Sequence, residues 1–267
     1  MVQSIPAPSL LVVQLAASVI VLGLISMIGN RRLVITPALC RASLTGLLEP
    51  GLAFAIGLVG LGMTSVDHAA IISSAEPVFI ILVGWLCFQE KPGLRLSLVI
   101  SVASLGLILV ASGEVAGGGS GGLLGDLLIM AATLVAAFYV VLSGRIATNF
   151  PPVTLVGAQQ FVGLLFALMI YGICRWQDIV PPLHAHIDVA QLAEAAISGL
   201  VQFALPFWFY LIGLRQVSAK VAGLYLSFTP VFAMIGAYLW LGESPGMFML
   251  MGAGLILIAV FAGRREI

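Results

Sequence analysis

Two glutamates followed by proline, Glu76-Pro77 and Glu49-Pro50, are the positions with the most chemical reach, because each lies inside a long apolar run. Glu76 falls near the middle of the run 66–88, where a carboxylate is costly in hydrocarbon unless it faces a cavity or a partner. Pro77 has no N–H to give, so it leaves a carbonyl one turn back without its usual donor. A carboxylate beside a loosened turn suits a cation, an amine, or a proton that binds and leaves. The competing reading is a structural carboxylate, hydrogen-bonded to a neighbouring helix. Glu49 lies closer to one end of the run 42–63, within snorkelling distance of the water face. It is read either as lining a cavity or as bonding between helices.

Neutral polar residues fall at related places. Shifting the chain by 153 positions sets Gln202 against Glu49 and Thr229 against Glu76, with Ser227 and Tyr225 in the same turn as Thr229. One side of a site would then carry charge and the other neutral hydrogen-bonding groups. Gln159 and Gln160 lie in the run 152–174, and at least one must face the protein, since lipid cannot satisfy an amide. Trp208, with Phe207 and Tyr210, forms either an aromatic wall or plain packing. Glu90 and Glu243 sit at helix ends near water, where a stabilising or gating contact fits better than substrate binding. Asp67, His68 and Asp126 are read as ordinary interfacial residues at a mouth that would attract cations.

Other chemistries lack their residues. Cys40, Cys87 and Cys174 are far apart and form neither a metal spacing nor a disulfide framework. His184-Ala-His186-Ile-Asp188 follows Pro181-Pro182 and reads as a solvated loop rather than a metal site. The glycine-rich stretch 112–122 is not followed by Gly-Lys-Ser/Thr, so it is a linker and not a phosphate loop. The one Gly-x-Ser-x-Gly match, Gly118–Gly122, falls within that linker with no strand before it and so makes no nucleophile elbow, and no His-Glu-x-x-His pair occurs. The expectation is a non-enzyme with no cofactor, no metal and no nucleic-acid partner.

The elements that must position these side chains are membrane helices. Of the 267 residues, 61% are hydrophobic and 8% charged, too few charges to cover a water-facing surface. A bilayer core of about 30 Å takes roughly 20 apolar residues per helix. Nine such runs are counted, at 9–29, 42–63, 66–88, 94–112, 123–143, 152–174, 193–214, 218–241 and 246–263. The first has no basic leader or cleavage site and is read as a retained helix. With the N-terminus outside and the C-terminus cytoplasmic, one face receives ten of the 11 Lys and Arg residues and the other only Arg175. That is the positive-inside bias of a plasma-membrane (inner-membrane) protein.

The 153-position shift also exposes a repeat. Residues 60–93 and 213–246 share 12 identities without a gap, including Ser74/Ser227, Pro77-Val78-Phe79/Pro230-Val231-Phe232 and Glu90/Glu243. An odd number of helices separates the copies, so they run in opposite senses through the membrane. Inverted repeats place a site at the midplane and permit alternating access. The expected organisation is a first repeat over 1–113, a linker over 114–122 and a second repeat over 123–267.

Ala75-Glu-Pro-Val-Phe-Ile-Ile-Leu-Val-Gly-Trp-Leu-Cys-Phe-Gln-Glu90 resembles the fourth-helix signature of the drug/metabolite transporter superfamily, EamA type. Thr229-Pro-Val-Phe-Ala-Met-Ile-Gly-Ala-Tyr-Leu-Trp-Leu-Gly-Glu243 looks like its ninth-helix copy. The resemblance implies an all-α polytopic membrane protein of ten helices, here four plus five. The first family helix has no counterpart, and residues 9–29 correspond to the second. Either the chain as read starts downstream of that helix, which is the expectation, or it is a nine-helix variant. The resemblance further implies a secondary transporter exporting a small metabolite, amino acid or drug-like compound. A non-transporting scaffold or sensor and an intramembrane enzyme are the alternatives, and monomer or homodimer is left open.

Overall fold

The computed structural model describes residues 5–28, 35–64, 66–113, 122–181, 188–236, 238–239, 242 and 244–263. Every regular element among them is helical. Among the described residues, eight helices are long and apolar enough to span a bilayer: Ala7–Ile28, Pro37–Leu61, His68–Phe88, Leu94–Ala111, Leu123–Ile146, Pro152–Trp176, Val189–Leu214 and Ala219–Gly236. A ninth, Met247–Gly263, is apolar but shorter. The chain is thus a polytopic, integral membrane protein. Helices apolar on every face suit lipid, where each backbone N–H must find its acceptor within the segment. Phe209, Phe232 and Phe261 are accordingly among the exposed side chains.

Five spans run unbroken: α1 (Ala7–Ile28), α6 (Leu94–Gly113), α7 (Leu123–Ile146), α8 (Pro152–Trp176) and α13 (Met247–Gly263). The other four are interrupted. The second is built from α2 (Pro37–Ser43), a tight turn over Leu44–Leu47, a wide turn over Leu48–Leu52 and α3 (Ala53–Leu61). The third breaks between α4 (Val66–Ser73) and α5 (Glu76–Phe88). The seventh consists of α9 (Val189–Gly199), a wide turn over Leu200–Ala204 and α10 (Leu205–Leu214). The eighth breaks between α11 (Ala219–Leu226) and α12 (Thr229–Gly236). Each break is at or beside a proline (Pro50, Pro77, Pro206, Pro230), which cannot donate to the preceding turn. In the two wide turns the N–H of Ala53 reaches Leu48 O and that of Leu205 reaches Leu200 O, five residues back.

Two helices begin earlier than their apolar runs suggest. Thr36 caps α2 by accepting from Leu39 N, with Pro37 in the first turn. Asp188 caps α9 through a reciprocal box with Gln191, so that helix starts at Val189 rather than 193. Residues 182–187, including both loop histidines, lie outside the described residues, as do Glu243 and most of the glycine-rich linker. No group of three metal-ligating side chains occurs among the described residues.

The chain divides into two compact units, each drawing on both halves of the sequence. The first comprises Met1–Ala55 and Leu142–Gln216, with α1 packed on α8 and α9. Its core joins Val12, Leu15, Ala167 and Phe203, against which Phe54 and Phe207 pack. The second comprises Ile56–Val141 and Val217–Ile267. Its α6 and α13 meet at Gly106 and Gly252, where a Cβ on either would strike the other's backbone oxygen. Ile81, Ile100, Ala103, Leu224, Val231 and Ile256 fill the core around them.

Candidate functional site

In the second unit the breaks of the third and eighth spans line one cavity of about 290 Å³. Ser73, Ser74, Glu76 and Pro77 come from the first break, and Leu226, Ser227, Thr229 and Pro230 from the second. These are the residues that the 153-position shift pairs, one for one. Ala70 with Leu107, Val110 and Ala111 of α6 completes the lining, so the cavity has a polar rim and an apolar wall.

Glu76 starts α5 with Pro77 behind it and is half-buried. Ser74 is buried and returns its hydroxyl to Ile71 O at 2.5 Å. Ser227 is 1% exposed, and its Oγ has no hydrogen-bond partner. Thr229 is exposed at the start of α12. Tyr225 is also exposed and is absent from the cavity lining.

One end of the third span is tied to the start of α11. Lys220 Nζ donates to Glu90 O at 2.9 Å and pairs with Glu90 Oε2 at 3.5 Å. Gln89, in the left-handed region at φ 58°, turns the chain so that Glu90 N reaches back to Gly84 O. At the other end of the unit, Asp126 accepts from Thr64 Oγ1 and lies 3.2 Å from His68 Nδ1. Asp126 and His68 thus bond each other, and the side chain of Asp67 lies outside the described residues.

The first unit holds the remaining sequence-predicted residues. Glu49 sits inside the wide turn Leu48–Leu52 with an extended backbone (φ −145°, ψ 126°) and is half-buried. Gln202 occupies the matching wide turn Leu200–Ala204 and accepts from Gln14 Nε2 at 3.1 Å. Gln159 and Gln160 are both buried, and their side chains bond different neighbours. Gln159 donates to Thr45 Oγ1 at 2.7 Å and Ser143 Oγ at 3.1 Å. Gln160 donates to Phe203 O at 2.7 Å and accepts from Ser18 Oγ. Trp208 stacks on Phe209, ring planes 4° apart and centroids 5.9 Å apart.

Gln14 is the residue that sequence reasoning missed. It is buried and donates to Ser198 Oγ at 3.0 Å as well as to Gln202. The signal was present, since an amide alone in the apolar run 9–29 obeys the logic already applied to Gln159. The first unit has a cavity of its own, about 530 Å³, lined by Leu22, Leu39, Val153, Phe161 and other mainly apolar residues, and by none of the predicted site residues.

Comparisons with known proteins bear on the family and the fold. The EamA-like transporter family profile matches residues 1–112 and 123–262. An uncharacterized transporter of Methanothermobacter thermautotrophicus is 28% identical over 211 residues, 75% of this chain and 57% of that protein. The match therefore spans little more than half the length of that relative. The uncharacterized transporter YdfC of Bacillus subtilis is 23% identical over 85% of this chain and 75% of its own length. A probable terminal-alkyne amino-acid exporter of Streptantibioticus cattleyicolor is 25% identical over 74% of this chain and 64% of its own. One protein crystal structure superimposes with a TM-score of 0.82 at 14% identity, covering 99% of this chain and 91% of that one, a likeness of fold alone. With its family profile matched over nearly the whole sequence and its spans in place, the chain belongs to the EamA-like transporter family.

Proposed function

We propose that the chain is a secondary transporter that moves a small metabolite, amino acid or drug-like compound by alternating access, in the direction of export. The observation that carries this reading is the cavity lined by two interrupted helices whose residues correspond in the sequence repeat. Broken helices around a midplane cavity are how inverted-repeat transporters build a site, because irregular backbone is tolerated only where it faces protein or a water-filled space. The name of the Streptantibioticus relative supports export and amino acids as the first substrates to try.

In this reading residues 1–113 and 123–267 are inverted repeats joined by the linker 114–122. The protein lies in the plasma membrane, with its N-terminus outside and its C-terminus in the cytoplasm, as the Lys and Arg count favours. Glu76 carries the proton that couples transport, and Glu49, Gln202, Gln159, Gln160 and Trp208 are the polar and aromatic groups of the first unit that serve the substrate. Thr229 and Ser227 supply neutral acceptors at the second break, with Tyr225 beside them. Glu90 and Glu243 close the two copies of the motif at helix ends.

The test is growth of cells expressing wild type or Glu76→Gln across toxic amino acids, amines and drugs. Protection by wild type that Glu76→Gln loses at equal membrane abundance supports the reading. Equal protection by both removes Glu76 from the mechanism, and protection by neither removes export.

A further inference from the structure

We propose that the cavity of the second unit is an ammonium subsite, built to take a small primary amine with a compact apolar body. The inference rests on the transport reading for its physiological meaning, but its binding chemistry stands on the cavity alone.

Residues that line it carry three kinds of acceptor. Glu76 brings a carboxylate to the lining. Ser227 brings a hydroxyl that is 1% exposed and bonded to nothing. A buried hydroxyl without a partner is uncommon in folded proteins, and one facing a cavity is satisfied when a ligand arrives. The third kind is main-chain. Pro77 has no N–H for the carbonyl of Ser73, and Pro230 has none for that of Leu226. Both residues line the same cavity. In membrane transporters unwound carbonyls of this sort coordinate small cations, and an ammonium presents them with the same positive charge.

The rest of the lining sets the ligand's other features. Among the described residues the cavity contains no Lys, Arg or His, so a carboxylate entering it would find a like charge and no counter-charge. Leu107 and Val110 form an apolar wall that suits a hydrocarbon body. The volume, about 290 Å³, is at the small end of ligand sites, which run from about 300 to 1,000 Å³. A primary ammonium offers three N–H donors to the carboxylate, the hydroxyl and a carbonyl. A quaternary ammonium offers none and would leave Ser227 unmatched.

Leucine, isoamylamine (leucine without its carboxylate) and isocaproate (leucine without its amine) separate these features. Each is titrated calorimetrically into the purified full chain in nanodiscs, in potassium buffer. The expected result is saturable binding of isoamylamine at least as tight as that of leucine, with no heat from isocaproate. Ser227→Ala removes one hydroxyl and no packing volume of consequence, and should weaken isoamylamine about five- to tenfold at unchanged Tm. Glu76→Gln should abolish it. No binding of isoamylamine, equal binding of isocaproate, or unchanged affinity in Ser227→Ala would each overturn the proposal. Displacement of isoamylamine by sodium chloride but not by potassium chloride would also overturn it, by making the site one for a metal cation.

Failure of the subsite and failure of the transport reading are distinguishable. Isoamylamine binding without any flux in vesicles keeps the subsite and sinks transport. Flux of another solute that excess isoamylamine leaves untouched keeps transport and sinks the subsite.

Discussion

Gln14 and Gln159 make the same bond at two places in the first unit. Each is a buried amide in an unbroken helix that donates to a hydroxyl on an interrupted span, Ser198 for Gln14 and Thr45 for Gln159. Thr45 and Ser198 are separated by the 153 positions of the sequence repeat, and so are the glycines that follow them, Gly46 and Gly199. A Cβ at Gly46 would fall inside the backbone of Gln159, and one at Gly199 inside the backbone of Gln14. Hydrogen bond and close approach therefore act together, and each holds an interrupted helix just ahead of its wide turn.

Replacing either glutamine by leucine leaves a hydroxyl without its donor in a nearly dry contact. Interhelical hydrogen bonds in membranes average about 0.6 kcal/mol and reach about 1.7. Gln159→Leu, which loses its bonds to both Thr45 and Ser143, should cost about 1–2 kcal/mol. A double-mutant cycle on Gln14 and Ser198 should return a coupling of about 0.5–1.5 kcal/mol by thermal unfolding in detergent. Additivity of the two single variants would remove the bond from the account.

The glycines give a steric test with an internal control. Gly46→Ala and Gly199→Ala must push backbone apart and should cost at least about 1–3 kcal/mol, with reduced accumulation in the membrane. Gly172 has nothing within 4 Å of an added Cβ. Gly172→Ala should be neutral or stabilising by up to about 1 kcal/mol. Equal behaviour of all three would contradict the close approach.

Pro230→Ala restores an N–H that can reach the Leu226 carbonyl, favouring a continuous helix through residues 226–230. The expected outcome is a higher Tm with reduced flux, because the broken turn is the part that faces the cavity. A higher Tm with unchanged flux would make the break irrelevant to transport.

Lys220→Met removes the ion pair to Glu90 and the bond to its carbonyl, whereas Glu90→Gln removes only the first. Lys220 is the more buried of the two, its side chain 12% exposed against 37%. Lys220→Met should therefore destabilise by about 1–2 kcal/mol and Glu90→Gln by less than about 1. The reverse order in thermal unfolding would show that the charge, not the carbonyl bond, holds this helix end.

Much of the architecture is legible in the sequence because lipid imposes a strict rule on it. The nine apolar runs and the paired Pro-Val-Phe segments require only length, hydropathy and a self-comparison. The starts of α2 and α9 were displaced because their caps, Thr36 and Asp188, lie in polar stretches that hydropathy assigns to loops. Gln14 escaped because the ungapped repeat covers only residues 60–93, and α1 lies outside it. The register pairs Glu76 with Thr229 and Ser74 with Ser227, yet their meeting in one cavity is a fact of packing. Register correspondence says that two segments have like shapes, and only packing says that they face each other.

The central claim is that the chain moves small solutes through the cavity at Glu76. Everted membrane vesicles containing equal amounts of wild type, Glu76→Gln or no transporter test it most directly. The vesicles are offered a pool of amino acids and small amines under an imposed proton gradient, and uptake is read by mass spectrometry. The account predicts time-dependent accumulation of at least one solute by wild type, collapsed by a protonophore and absent in Glu76→Gln. Wild-type vesicles that match the empty ones, or Glu76→Gln vesicles that match wild type with and without the gradient, would contradict it.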